Sequence, residues 1–360
     1  MIISDRDIAL WRLRTQRLVG IPCDRPVDVV GHLLGVQAEN YSQATWAIAA
    51  RCAPTTSTDV DHLYSSGAIL RTHVLRTTWH FVDPADIAWL CALTGPRLRK
   101  LQATQQRQLG IDDQVLSRAV HTVVDALEAD GALTRNQLRS RLDATGAPTA
   151  GAALTLITAT AEADGLICSG PLVDGEHTHD LIARRAAHAR HLVRDEALAE
   201  LAWRYVTGHG PVTEADLCYW ATLTRADARA GLAGVGDRLA SFEHDGRRFW
   251  YVTGTEPDTH GPDSAHLLQI LDEIYRGYQD SRWVLDADQL LGRGREPSTG
   301  TALINGQIAG TMTRSVSPDA LEVRVAQYRR LTAHEEQLLE NVADRCGRFL
   351  DRKATLHLER

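Results

Sequence analysis

The chain lacks the marks of a membrane, metal or disulfide protein. Its 360 residues include six cysteines (Cys23, Cys52, Cys91, Cys168, Cys218, Cys346), and no two form a Cys-x-x-Cys pair. Such scatter argues against a disulfide framework and a zinc knuckle, so no metal or cofactor is expected and a reducing cytoplasm is the expected location. No apolar run is long enough to cross a bilayer, and Met1-Ile2-Ile3-Ser4-Asp5 lacks the charged-then-apolar pattern of a leader. Lysine is nearly absent: Lys100 and Lys353 are the only two, so almost all positive charge is arginine, which suits bidentate phosphate contact and stacking on bases. Excess positive charge is missing too. The net charge of −7 excludes a uniformly basic coat but not local cationic clusters, which are what phosphate contact requires.

What is present is a repeated order of elements. The length suggests two to four domains. Apolar periodicity predicts an amphipathic helix over Arg6–Leu18 and a second from Pro26 to Leu34, then an apolar helix over Ala44–Ala50. Residues 68–82 read as a hairpin, and Asp83 as the N-cap of the next helix. Further on, Leu116–Asp130, Arg135–Leu142 capped by Thr134, and Ala150–Asp164 read as helices, followed by a hairpin around Asp174-Gly175-Glu176. Residues 194–253 repeat this: helix, short helix capped by Thr213, helix capped by Thr224, hairpin with Asp245-Gly246 at its turn. Helix, short helix, helix, hairpin is the order of a winged helix-turn-helix. Glu256–Asp263 reads as a linker. Beyond it lie a hairpin with an Asn305-Gly306 turn and a final helix, Ala333–Leu350. The expected class is mainly α with small β (α+β). The expected units are 1–110, 111–192, 193–256 and a small barrel-like domain over 264–360.

The segment Gly35-Val36-Gln37-Ala38-Glu39-Asn40-Tyr41 carries the chemistry. If it is extended, Gln37 and Glu39 point to one side and Ala38 to the other. In a helix the two would diverge by roughly 200°. An amide beside a carboxylate can hold and activate a water; the plainer reading is a polar turn after a helix. Tyr41 and Trp46 could stack on a base or pack in the core. His177 and His179 are spaced to bind a metal but fall where a wing should be, which reads as a solvated loop.

Several blocks match a known family in order along the chain. They are Leu13-Arg14-Thr15-Gln16-Arg17-Leu18, Val36-Gln37-Ala38-Glu39, Leu75-Arg76-Thr77-Thr78-Trp79-His80, Gly210-Pro211-Val212-Thr213, Asp216 to Trp220, Leu271-Asp272-Glu273 with Gly277-Tyr278, and Asn305-Gly306-Gln307 to Gly310-Thr311. On these residues the chain resembles the winged helix DNA-binding domain-containing family that includes the AlkZ-type DNA glycosylases. The resemblance implies three tandem winged-helix units bent around duplex DNA, a small β-barrel, and excision of N-alkylated purines, including bulky adducts and crosslinks. It assigns catalysis to Gln37 and to position 39, where this chain has glutamate and the family has glutamine, or aspartate in a second branch.

An alkylated purine leaves easily, so the protein must place water and stabilise positive charge developing on the sugar. Glu39 would serve as base or electrostatic stabiliser, and Gln37 would orient the water through one donor and one acceptor contact. His80, Tyr41 and Thr78 are candidate supports for the site. Arg14, Arg71, Arg76, Arg97, Arg99, Arg184, Arg185, Arg247 and Arg248 are candidate DNA contacts. The expected partner is duplex DNA, probed by a monomer. The alternatives are a non-catalytic winged-helix DNA-binding protein or regulator, and a winged-helix scaffold that binds protein.

Overall fold

The structure, a computed structural model, describes residues 3–255, 263–291 and 299–359. The expected linker lies outside the described residues except for Asp263. The protein is mixed α+β. Helix Asp5–Thr15 opens on a capping box in which Ser4 and Asp7 satisfy each other's main-chain N–H groups. It ends before the expected Leu18 because Arg17 turns to φ 60°, a conformation in which no right-handed helix continues.

One arrangement then occurs three times. A two-residue strand pairs with the second strand of a later hairpin, giving each sheet the order first, third, second. The sheets are Val36–Gln37 with Trp79–Val82 and Leu70–His73; Leu133–Thr134 with Thr178–Leu181 and Ile167–Ser169; and Val212–Thr213 with Arg247–Val252 and Leu239–His244. In the second and third copies the last strand residue, Thr134 or Thr213, is also the N-cap of the following helix, completed by Gln137 or Asp216. The first copy differs. Its strand ends at Gln37, and its cap is Asn40, whose side chain accepts the Gln43 N–H at 3.2 Å. Ala38 and Glu39 fill the gap.

One expected cap is not a cap, and one helix went unread. Asp83 caps no helix; its carboxylate accepts the Ala85 N–H at 2.8 Å in a turn, and Asp86 precedes the helix Ile87–Gln108. Helix Ser57–Ser66 was not read from the sequence, although Thr56 and Asp59 form a capping box.

In the C-terminal part, Ala265–Leu268, Gly300–Ile304, Gln307–Val316 and Ala320–Gln327 pair antiparallel in order. The Asn305-Gly306 turn has φ 49° and 74°, as a tight hairpin requires. Helix Ala333–Leu350 then crosses over and delivers Lys353–Glu359 parallel to Ala320–Gln327. A parallel last strand leaves two unjoined edges among the described residues, so the sheet is open rather than a closed barrel.

The first copy is buried between its neighbours. Ile8, Val29, Trp46 and Phe81 pack with Leu267, Ile304, Met312 and Phe349 of the C-terminal part. On the other side Leu34, Leu70, Val82 and Trp89 pack with Leu198, Leu201 and Trp220 of the third copy. The second copy closes a core of its own around Leu116, Val123, Leu138 and Ile157. Among the described residues no helix is long and apolar enough to cross a membrane.

Candidate active site

The segment around Gln37 is extended. Val36 faces Phe81 and Gln37 faces His80 across the sheet, and the Ala38 N–H still reaches the Trp79 carbonyl at 2.7 Å. Val36 and Ala38 enter the core, which turns Gln37 and Glu39 to the opposite side. Entry to the strand is tight. Buried Leu34 and Leu75 both adopt φ 64°, at a cost of roughly 1–3 kcal/mol each. Gly35 lies between them in space; a Cβ there would sit 2.8 Å from Leu75 Cδ1.

Gln37 is 7 % exposed and held at two points. Its N–H donates to Glu273 Oε1 at 3.0 Å, and its Oε1 accepts from Arg76 at 3.0 Å. Its Nε2 has no partner among the described residues and is not sealed from solvent. The amide therefore offers its NH2 as a donor without a protein partner among the described residues, while its oxygen is engaged by Arg76. Behind it, Glu273 also accepts from Trp220 Nε1 at 2.8 Å and His209 Nε2 at 3.3 Å, with Arg76 at 3.6 Å. Burial alone would raise the Glu273 pKa, but the His209 hydrogen bond and the Arg76 charge outweigh it and hold it at about 2. His80 is fully buried. Its Nδ1–H donates to the Thr78 carbonyl at 3.0 Å, leaving Nε2 to accept from Arg76 at 3.2 Å. Burial, then the Arg76 charge, push its pKa down to about 3, so the ring is neutral and supports Arg76.

Glu39 is exposed, and its Oε2 accepts the Trp79 N–H at 3.2 Å. Arg71 steadies the same turn: its Nε donates to the Ala38 carbonyl at 3.0 Å and its guanidinium lies 4.3 Å from the Trp79 ring centre. The Trp79 indole N–H donates to buried Glu162 at 3.0 Å, and Glu162 also contacts His73. Burial would raise the Glu162 pKa, but His73 outweighs it and the net direction is down. Gln37 and Glu39 thus present a donor and an anionic acceptor, each backed by a buried carboxylate that bonds a tryptophan and a histidine.

The remaining expected residues scatter. The Tyr41 hydroxyl donates to Asp61 at 2.7 Å and its ring packs edge-on against Tyr64 and Phe81; Trp46 is buried, with its indole N–H on the Leu267 carbonyl at 2.9 Å. Thr78 supplies its carbonyl to His80, while its hydroxyl oxygen is buried and unpartnered. Arg76 turns inward, buried, as a support for Gln37 rather than a free cation. Arg184 is paired with Asp180, Arg185 with the Ser65 and Tyr64 carbonyls, Arg99 with Asp164, Arg247 with Asp280 and Arg248 with Glu243. Arg97 is exposed, with no ion-pair partner among the described residues, on an open cleft of about 310 Å³ shared with Arg76, Leu101 and Tyr219. Arg14 is half-buried on the first helix. His177 is exposed in the loop, as expected, with its Nδ1 against the Tyr64 hydroxyl at 3.2 Å, whereas His179 lies on strand Thr178–Leu181 with its Nε2 3.7 Å from Glu162.

Sequence reasoning missed Glu273, His209, Trp220 and Glu162. For Glu273 a signal existed in the Leu271-Asp272-Glu273 block. Its neighbour Asp272 binds Arg51 at 2.6 Å, and Gln16 reaches the Glu273 carbonyl at 3.1 Å, so this segment ties the first helix to the site. For Glu162, inside an alanine-rich helix, none stood out.

The family model described as DNA glycosylase AlkZ-like matches residues 30–349, and the chain belongs to the AlkZ-like DNA glycosylase family. A relative from Streptomyces sahachiroi, an interstrand DNA cross-link repair glycosylase, is 25 % identical over 268 residues, 70 % of this chain and 71 % of its own. The solved structure of Streptomyces sahachiroi DNA glycosylase AlkZ matches with a TM-score of 0.80 at 21 % identity, over 99 % of this chain and 100 % of that one, a likeness of fold.

Proposed function

We propose that the protein hydrolyses the N-glycosidic bond of alkylated purine nucleotides in duplex DNA, as a monomer without a cofactor. The observation that carries the reading is the placement of Gln37 and Glu39 side by side at one sheet edge, with the Gln37 NH2 group and the Glu39 carboxylate both facing outward. Between them a water can donate to Glu39 and accept from Gln37, leaving a lone pair for the anomeric carbon. Glu39 takes the proton as attack proceeds, and before that its charge stabilises the cationic sugar. An exposed acid suits both tasks, since the alkylated base leaves without strong protonation. We read the three first-third-second sheets with their helices as winged-helix units over 1–110, 111–192 and 193–256, followed by the C-terminal part over 264–360. Arg71 and Arg97 remain the candidate phosphate contacts.

The test is release of 7-methylguanine from duplex DNA under single-turnover conditions. Glu39→Ala and Gln37→Ala are each expected to lower the rate by about 10²–10³-fold, the range seen when one aimed polar group is removed. Full activity in both variants refutes the assignment. Duplex binding without base release by the wild type favours the second reading, a non-catalytic DNA-binding protein.

A further inference from the structure

We infer that Glu273 is a positioning residue of this site: it fixes the Gln37 main chain and the Arg76 guanidinium, and through Arg76 it locks the Gln37 amide with its NH2 group outward. The catalytic consequence rests on the glycosylase reading; the lock itself rests on geometry.

Glu273 Oε1 takes the Gln37 N–H at 3.0 Å and faces Arg76 at 3.6 Å. Its Oε2 takes Trp220 Nε1–H at 2.8 Å and His209 Nε2–H at 3.3 Å. Arg76 passes the constraint on, donating to Gln37 Oε1 at 3.0 Å and to His80 Nε2 at 3.2 Å. A guanidinium has donors and no acceptor. A flipped Gln37 amide would set NH2 against it, with both groups shielded from water, and would leave Oε1 facing the substrate. The outward donor is therefore the orientation that Arg76 allows. Arg76 is itself 8 % exposed, and a buried guanidinium needs an anion. Among the described residues Glu273 is the carboxylate within 4.0 Å of it. The carboxylate comes from a segment some 236 positions along the chain from Gln37, so the C-terminal part helps complete a site that lies in the first copy. A group that only filled space there would need neither the charge nor the two oxygens.

The test uses the full chain with Gln37→Glu, Glu273→Gln and Arg76→Met. For each, melting temperature, affinity for undamaged duplex, single-turnover release of 7-methylguanine and the Gln37 side-chain amide NMR signals are measured. Gln37→Glu keeps an acceptor for Arg76 and loses the outward donor. It is expected to melt no lower than wild type while its rate falls as far as that of Gln37→Ala. Glu273→Gln is expected to lower the rate by about 10- to 100-fold, as small misplacements of reacting groups do. Its duplex affinity should stay unchanged, and it should have no further effect in a Gln37→Ala background. A wild-type rate for Gln37→Glu, or a Glu273→Gln loss that multiplies in that background, overturns the proposal. Should Glu273→Gln not fold, Arg76→Met carries the same background test. If the wild type releases no base, the glycosylase reading fails and NMR decides the lock. Gln37 NH2 chemical shifts that move toward those of an unbonded glutamine in Arg76→Met support it, and identical spectra overturn it.

Discussion

Set beside the second and third copies of its own fold, the first copy shows how a structural junction frees polar side chains. In those copies the short strand runs straight into the helix, because Thr134 and Thr213 are both strand residue and cap. The same strand position in the first copy is Gln37, and the capping duty passes to Asn40, three residues on. The intervening Ala38 plugs the core, leaving Gln37 and Glu39 free of any role in the helix. What differs is where the polar groups go. The threonine hydroxyls are spent on main-chain N–H groups, whereas the Gln37 NH2 and the Glu39 carboxylate face outward. The surroundings differ as well. The second copy has its own core, while the first is wedged between the third copy and the C-terminal part, which supply Trp220, His209 and Glu273.

The largest expected effect is on stability. Glu273→Ala strips the anion from buried Arg76 and leaves Gln37 N–H, Trp220 and His209 unpaired. It should cost about 3–5 kcal/mol in urea denaturation, as breaking a buried pair does. A loss below about 1 kcal/mol would mean that water replaces the carboxylate without penalty. Next come the caps. Thr213→Ala and Thr134→Ala should each lower stability by about 0.5–2 kcal/mol with base release unaltered, while Glu39→Ala, at an exposed position, should change stability by no more than about 0.5 kcal/mol. A reversal of that pattern would erase the distinction between copies.

Acid sharpens the contrast between the buried groups. His80 is held at about 3 against an ordinary 6.5, so the folded state binds fewer protons and stability drains away as pH falls from 6.5 toward 3. Glu273, held at about 2 against 4.5, contributes stability that is present above pH 4.5 and lost between 4.5 and 2. The urea midpoint should therefore decline below pH 6.5 and more steeply below 4.5; a flat midpoint down to 4.5 would contradict the burial of neutral His80. The smallest effect is on binding. Arg97→Ala should reduce the slope of log affinity against log salt by about 1 if Arg97 meets a phosphate, and leave it unchanged otherwise.

Local signals made much of the fold legible before any coordinates. Thr134, Thr213 and Thr224 announce their helices because a cap is a contact between near neighbours in sequence, and Asn305-Gly306 announces its hairpin because the required φ is a property of two residues. The extended run at Gln37 was legible as an alternation of two. Asn40 as a cap was not, since the apolar run that suggested a helix begins only at Ala44. The supports of the site were beyond reach for a different reason. Glu273, Trp220 and His209 lie far from Gln37 along the chain, and only packing between copies brings them together. Arg76 and Arg185 looked like surface cations because a one-dimensional reading cannot see that carbonyls and a carboxylate wait for them inside.

The central claim is that the Glu39 carboxylate, placed by the two-residue gap before the Asn40 cap, takes part in base release. Single-turnover release of 7-methylguanine from duplex DNA by Glu39→Gln tests it most directly, because the change removes the charge and the basicity while keeping size and an acceptor for the Trp79 N–H. The Glu39→Gln rate should fall well below wild type at equal melting temperature. A rate equal to or above wild type would contradict it.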